Sequence, residues 1–215
     1  MSNEPTKAQL EYTKLLAEIQ KLSLESQQME HNIYFQQTQR DLSRREHAYS
    51  YMLGSVDVMS LKYLNADIRE WRDDNRTDRL VVSISSPGGD VFSGLGMFDA
   101  IADGVAAGLD LETEVRGCAC SMASAIAQAG KHRTITTNSW LMIHQVGAVR
   151  QQLMQLTEMQ DQVDLLKTLQ DRLNSLYLFR SNLTADELER RTTRQDWWIG
   201  SAEALDLGLV DEVTK

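Results

Sequence analysis

Four short stretches of this 215-residue chain hold side chains and glycines of the types that hydrolytic chemistry uses. Ser121 stands between the turn-forming Gly117 and a run of small residues, Ala123, Ser124, Ala125 and Ala127. A hydroxyl at such a strand-to-helix turn lies beside unpaired helix-start amides able to receive a developing oxyanion, and small neighbours let backbone approach a substrate carbonyl closely. His144 ends the apolar run Trp140 to Ile143, which puts an imidazole at the edge of a sheet. Asp196 precedes Trp197 and Trp198, whose burial sets its carboxylate against protein. Pro87, Gly88 and Gly89 close a buried strand, and consecutive glycines permit positive φ and leave amides uncovered beside a ligand.

Each signal alone has a plainer reading. Serine is a common helix N-cap, a lone histidine is often a satisfied core imidazole, and an aspartate before a strand is often a turn residue. Two glycines after a strand are usually a tight turn. His132 lies in a polar KHR stretch and reads as surface; His31 and His47 flank the N-terminal helix region; Asp186 and Glu187 are rivals of Asp196. Because Cys120 and Met122 flank Ser121, the G-x-S-x-G elbow is absent.

The elements that must carry these residues can be read from periodicity. From about Pro5 to Arg45, Tyr12, Leu15, Ile19, Leu22, Met29 and Ile33 recur at three- and four-residue steps, the pattern of a long amphipathic helix. A boundary falls near residues 45 to 47. AYSYML then reads as a strand, and Leu61, Leu64, Ile68 and Trp71 mark a helix. Leu80 to Ile84 form a strand ending at the Pro-Gly-Gly turn, followed by a helix with Val91, Leu95, Phe98, Ile101 and Val105 on one face. Glu112 to Arg116 suit a strand, Gly117 to Cys120 a turn, and Ser121 to Ala129 a small-residue helix closed by Gly130. HRTITTNSWLMIHQV reads as two short strands around Asn138. Alternating strands and helices imply an α/β fold with a mainly parallel sheet.

The longest helical stretch runs from Arg150 to about Ser181. Leu156, Met159, Val163, Leu166 and Leu173 step through it in a heptad-like seam, widened by Leu153, Leu169 and Leu176. A helix longer than its domain projects from it, and an apolar seam on the projecting part calls for a second copy. A short helix capped by Thr184 with Glu187 three residues on, the segment DWWIG, and a final helix and strand complete the chain.

Composition narrows the class. With 42% hydrophobic residues the chain supports one core plus an appendage. A net charge of −9 opposes binding to nucleic acid. Cys118 and Cys120 lie too close for an ordinary disulfide and supply too few ligands for zinc. No apolar run has the length of a membrane span or a signal-peptide core, so a soluble, cytoplasmic protein is expected.

Taken in series, the four stretches resemble the proteolytic subunit of Clp protease, ClpP. ISSPGGDVFSGLGMFDAI is similar to that family's strand, SPGG turn and helix, and GCACSMASAIAQAG to its nucleophile segment. SWLMIHQ is similar to the strand ending in its histidine, and DWWIGSAEALDLGLVDEV to its aspartate segment and closing helix. The likeness covers about residues 47 to 215. It implies a ClpP/crotonase-like α/β fold of repeated β-β-α units with a projecting handle helix at about 150–181, and here an extra N-terminal helical extension over 1–46. It also implies Ser121 as nucleophile, His144 as base, Asp196 as its partner, Gly89 and Met122 amides as the oxyanion hole, and Gly88 as a substrate contact.

The same resemblance implies a serine endopeptidase acting on peptides or unfolded proteins with no metal or organic cofactor. In the family the handle joins two heptameric rings, so a homo-oligomeric ring, with two rings stacked, is expected. Family members dock an ATP-driven AAA+ unfoldase with the help of short N-terminal loops, where this chain carries some 45 helix-forming residues. After the histidine the family is usually glycine-rich, and only Gly147 stands here before Arg150. These departures keep two alternatives in view: a structural or regulatory ClpP-like subunit not competent by itself, and a crotonase-type acyl-CoA enzyme, which shares the broad fold. A relative of the signal-peptide peptidases, commonly built on a serine–lysine dyad, is disfavoured because Lys131, the lysine nearest Ser121, lies past Gly130.

Overall fold

In a computed structural model, the described residues are 48–74, 79–147 and 155–215, together with Glu18 and Lys21. The chain divides between Glu46 and His47 into two units. The helix expected from about Pro5 to Arg45 lies outside the described residues apart from Glu18 and Lys21.

The second unit is built on a mixed sheet. Its strands are β1 (Ala48–Leu53), β2 (Arg79–Ser86), β3 (Leu111–Cys120), β4 (Arg133–Thr136), β5 (Trp140–Ile143), β6 (Trp197–Gly200) and β7 (Glu212–Thr214). The order β1-β2-β3-β4-β7 is parallel throughout. β5 adds to β3 in parallel, and β6 adds to β5 antiparallel. Helix α1 (Val58–Asp74) joins β1 to β2, and α2 (Val91–Ala106) joins β2 to β3. Asp90 caps α2 by accepting the Ser93 amide at 2.7 Å, and so holds the helix start directly behind the two glycines.

Apolar burial drives this layering. Leu80, Val82 and Ile84 of β2, Met97 and Ile101 of α2, and Leu111 of β3 are fully enclosed. Each such side chain contributes about 1.5–3 kcal/mol on leaving water. Among the described residues no helix is long and apolar enough to cross a membrane.

β3 departs from the sequence expectation. The turn expected at Gly117 to Cys120 is instead strand, and it is the place where β3 changes partner. Thr113 to Val115 pair with β4, whereas Cys118 to Cys120 pair with β5. Gly117, at φ +92, supplies the bend that a side-chain-bearing residue adopts only with strain. Its amide is bonded at 2.7 Å to Ser139 Oγ, from the loop between β4 and β5. The fork therefore leaves no orphan donor at this point, and it carries Cys120 into the end of the sheet lined by β5.

After the fork come α3 (Met122–Ile126) and a 3-10 turn (Ala127–Ala129). Helix α4 spans Leu156–Arg180. Its first residue follows Gln155, which is extended and whose amide bonds Glu158 Oε2 at 2.9 Å. Residues 150–154 of the expected helix, Leu153 included, lie outside the described residues. Only the C-terminal half of α4 is seated on the core, through Leu173 and Tyr177. Leu156, Met159, Val163 and Leu165 are exposed, at 83%, 50%, 44% and 47%. Leu156, Met159 and Val163, the N-terminal part of the heptad seam, thus have no cover among the described residues. α5 (Ala185–Thr192) starts where Thr184 Oγ1 accepts the Glu187 amide at 3.2 Å, as the sequence suggests. α6 (Ser201–Asp206) leads to β7.

At the far edge of the sheet, Arg133 of β4 is buried and bonds Asp211 through its backbone amide, Nε and Nη2 at 2.8, 3.0 and 2.6 Å. Arg180, the last residue of α4, bonds the carbonyls of Gly130 and Lys131 and reaches Asp211 at 3.3 Å. This cluster ties the end of α4 to β4 and the residue before β7.

Candidate active site

Ser121 follows the last residue of β3 and holds φ 53, ψ −125, a conformation that is costly for any residue with a Cβ. Strain of this kind is about 1–3 kcal/mol and persists only where surroundings over-determine it. Here the Ser121 amide bonds Met142 O of β5 at 2.8 Å, and the Ser121 carbonyl accepts the Ser124 amide at 3.0 Å. The hydroxyl makes no capping bond to α3, so the plain N-cap reading does not hold for its side chain. It points to His144, with Oγ 2.7 Å from Nε2.

His144 reaches that position because Ile143, the last residue of β5, is buried and anchors the strand end. Asp196 arrives by strand register. Ile143 pairs with Trp197 in the antiparallel β5–β6 ladder. One residue further along that register, His144 and Asp196 stand opposite each other. Trp197 is buried, with the Arg191 guanidinium stacked 4.9 Å from its ring centroid. His144 Nδ1 lies 3.8 Å from Asp196 Oδ1, and the two side chains are 36% and 57% exposed. Serine and imidazole therefore share a short hydrogen bond, and the carboxylate stands just beyond bonding distance of the second ring nitrogen.

The Pro-Gly-Gly turn packs against the same serine. A Cβ on Gly88, at φ +94, would lie 2.7 Å from Cys120 O, 2.8 Å from Ser121 Cβ and 3.2 Å from the Met122 nitrogen. Gly89 is pressed against Val56, where a Cβ would fall 2.1 Å from its carbonyl oxygen. Val56 N in turn bonds Gly88 O at 3.1 Å and Val56 O accepts the Asp90 amide at 2.8 Å. The loop after β1 thus clamps both glycines against the start of α3.

A cavity of about 70 Å³ opens beside Ser121 and His144, walled by Val91, Met122, Val146, Gln170, Leu173 and Tyr177. Gln170 Oε1 accepts the Val146 amide at 2.7 Å, so α4 holds the segment that follows the histidine. Cys120, next to the serine, is buried, and burial first, then Cys118 and the Asp196 charge, push its thiol up to about 12. Both cysteines are free thiols. Among the described residues no group of His, Cys, Asp or Glu is arranged to hold a metal ion.

The rival residues stand elsewhere. His132 Nε2 is 3.2 Å from Glu212 at the β4–β7 edge. Glu187 is engaged by Arg191 at 3.4 Å on α5, and Asp186 lies in the first turn of the same helix. His31 and His47 lie outside the described residues. Three contributors were not singled out from sequence: Ser124, Gln170 and Tyr177. Tyr177 follows the buried Leu173 by four residues, which marks it only as a core position.

Comparison with known proteins gives one family. Residues 54–215 match the profile described as Clp protease. "ATP-dependent Clp protease proteolytic subunit 2" of Synechococcus sp. (strain CC9605) is 34% identical over 133 residues, which are 60% of this chain and 64% of that protein. The subunit 2 of Parasynechococcus marenigrum (strain WH8102) and the "ATP-dependent Clp protease proteolytic subunit 1" of Synechococcus sp. (strain CC9902) match with the same identity and coverage. The chain thus spans 64%, just under two thirds, of the length of each of these relatives.

Proposed function

The chain belongs to the Clp protease family, and from that premise we propose that it is a serine endopeptidase cutting peptides or unfolded proteins. Ser121 Oγ attacks the scissile carbonyl carbon while its proton passes to His144 Nε2. The amides of Gly89 and Met122 receive the oxyanion of the tetrahedral intermediate, with Gly88 lying against substrate backbone. As the C–N bond breaks, the imidazolium returns its proton to the leaving amine and an acyl-enzyme remains on Ser121. Water then attacks under the same base and restores the hydroxyl. Asp196 holds the imidazole with its Nδ1 protonated, the tautomer in which Nε2 can accept.

The observation that carries this reading is the 2.7 Å Oγ–Nε2 contact on a strained backbone turn, for which a merely structural serine has no use. The 3.8 Å gap to Asp196 adds to the sequence departures that favour a second reading, a subunit whose site is incomplete until it assembles. Self-association through α4 into a ring, with two rings stacked, suits the uncovered half of that helix. An activity-based fluorophosphonate should label Ser121 in the purified chain, and Ser121→Ala should lose both labelling and peptide hydrolysis. Absence of labelling together with unchanged hydrolysis by Ser121→Ala would overturn the proposal.

A further inference from the structure

Helix α4 reaches the nucleophile turn with the hydroxyl of Tyr177. Tyr177 is 4% exposed, and its Oη lies 2.8 Å from Ser124 Oγ. Ser124 is fully buried, with its Oγ 2.6 Å from the Ser121 carbonyl oxygen. A serine hydroxyl carries one proton and a carbonyl oxygen only accepts. The Ser124 proton therefore goes to Ser121 O, and Tyr177 is the donor to Ser124. Tyr177 Oη also approaches the same carbonyl at 3.4 Å. The amide and the hydroxyl of Ser124 thus both donate to one oxygen, and the Tyr177 hydroxyl that donates to Ser124 stands beside it.

That oxygen belongs to the peptide group whose other end is the Met122 N–H. In a planar trans peptide the carbonyl and the N–H point in opposite directions. Holding Ser121 O toward Ser124 and Tyr177 consequently fixes the direction in which the Met122 N–H can donate. Hydrogen bonds accepted by a carbonyl also polarise the peptide and strengthen the donor at its far end. The bonds act at the residue with φ 53, where backbone geometry most needs an outside constraint.

We propose that Tyr177 and Ser124 are positioning residues of the peptidase site: a buried hydroxyl relay from α4 that aims and polarises the Met122 amide in the oxyanion hole. The inference rests on the serine peptidase reading above. Burial keeps the Tyr177 hydroxyl protonated well beyond the ordinary tyrosine range, so the relay acts at every working pH.

The test compares full-length wild type with Tyr177→Phe, which removes one oxygen, Ser124→Ala, and the double variant. Each single change should lower kcat for a peptide amide about 5- to 50-fold, less than the loss of a direct oxyanion donor. KM should stay within about two-fold, and the double variant should be no slower than the worse single one, as expected for groups acting as a unit. Affinity for a peptide boronate, whose tetrahedral adduct places an oxygen in the hole, should fall by the same factor as kcat. The ratio of wild-type to Tyr177→Phe rates should be flat with pH, and native mass and melting temperature should not follow the loss in rate. Unchanged kcat, additive losses, or a rate loss that tracks melting temperature or native mass would each overturn the relay. Fluorophosphonate labelling of wild type separates the two proposals. An unlabelled wild type together with unchanged hydrolysis by Ser121→Ala ends both, whereas a labelled wild type with an equally fast Tyr177→Phe ends only the relay.

Discussion

Asp196 Oδ1 stands 3.8 Å from His144 Nδ1 across the β5–β6 register, with more than half of its side chain open to water. A charge this exposed is screened, and at this distance it makes no hydrogen bond. Such contacts often close only in the substrate complex. We therefore expect Asp196→Asn to lower kcat/KM for peptide hydrolysis by about 10²–10⁴, with Ser121→Ala at least as damaging. Steady-state rates of the two variants decide it. Wild-type activity in Asp196→Asn would leave the carboxylate without a part in the chemistry.

How much of this arrangement the bare sequence carries depends on the residue. Ser121 and His144 stand out as candidates because each sits at a change of pattern, glycine to small helix and apolar strand to polar loop, but their roles too come from the family resemblance. Asp196 needed the family resemblance, since the strand register that sets it opposite His144 is a long-range pairing that no local periodicity encodes. The fork of β3 was hidden for a related reason: Gly117 carries the mark of a turn, and only the two different neighbours of β3 make it a bend within a strand. Tyr177 was invisible as anything but core, because a buried hydroxyl is told from a buried ring only by its partner, and Ser124 lies 53 positions away. The seam of α4 was read correctly as periodic, but periodicity does not say which half meets its own domain.

Gly88 is expected to tolerate no side chain. Its φ of +94 and a Cβ contact of 2.7 Å to Cys120 O set both backbone strain and a clash against the nucleophile turn. Gly88→Ala should cost about 1–3 kcal/mol of stability and reduce peptide hydrolysis at least tenfold, a loss far out of proportion to the fraction unfolded. Chemical denaturation and rates on the same sample measure both. A variant that loses neither would show that the turn shifts freely and does not constrain Ser121.

The uncovered part of α4 gives a prediction for assembly. Leu156, Met159 and Val163 present an exposed apolar face while the other half of the helix is seated on the core. Val163→Lys should leave the fold intact, since Val163 is exposed and stands outside the hydrophobic cluster of the described residues. Its native mass, by sedimentation or native mass spectrometry, should be smaller than that of the wild type. A charged residue accepted there with no change in mass would mean that this face of the helix is not an interface.

Asp211 links stability to pH. Burial raises its carboxyl, but the hydrogen bonds from Arg133 and the nearby charges of Arg133 and Arg180 outweigh that and hold it below the ordinary value of 3.8. A carboxyl depressed in the folded state stabilises fully above its unfolded value and loses that contribution as pH falls through the folded one. Asp211→Asn also leaves the buried Arg133 without its counter-ion. At neutral pH the variant should melt roughly 2–6 °C below wild type. The gap should narrow only below about pH 4, as wild type itself protonates Asp211. Melting curves of both proteins from neutral pH down to about pH 3 test the sign. A gap that stays constant across that range would show that the Arg133–Asp211 pair contributes through shape rather than through charge.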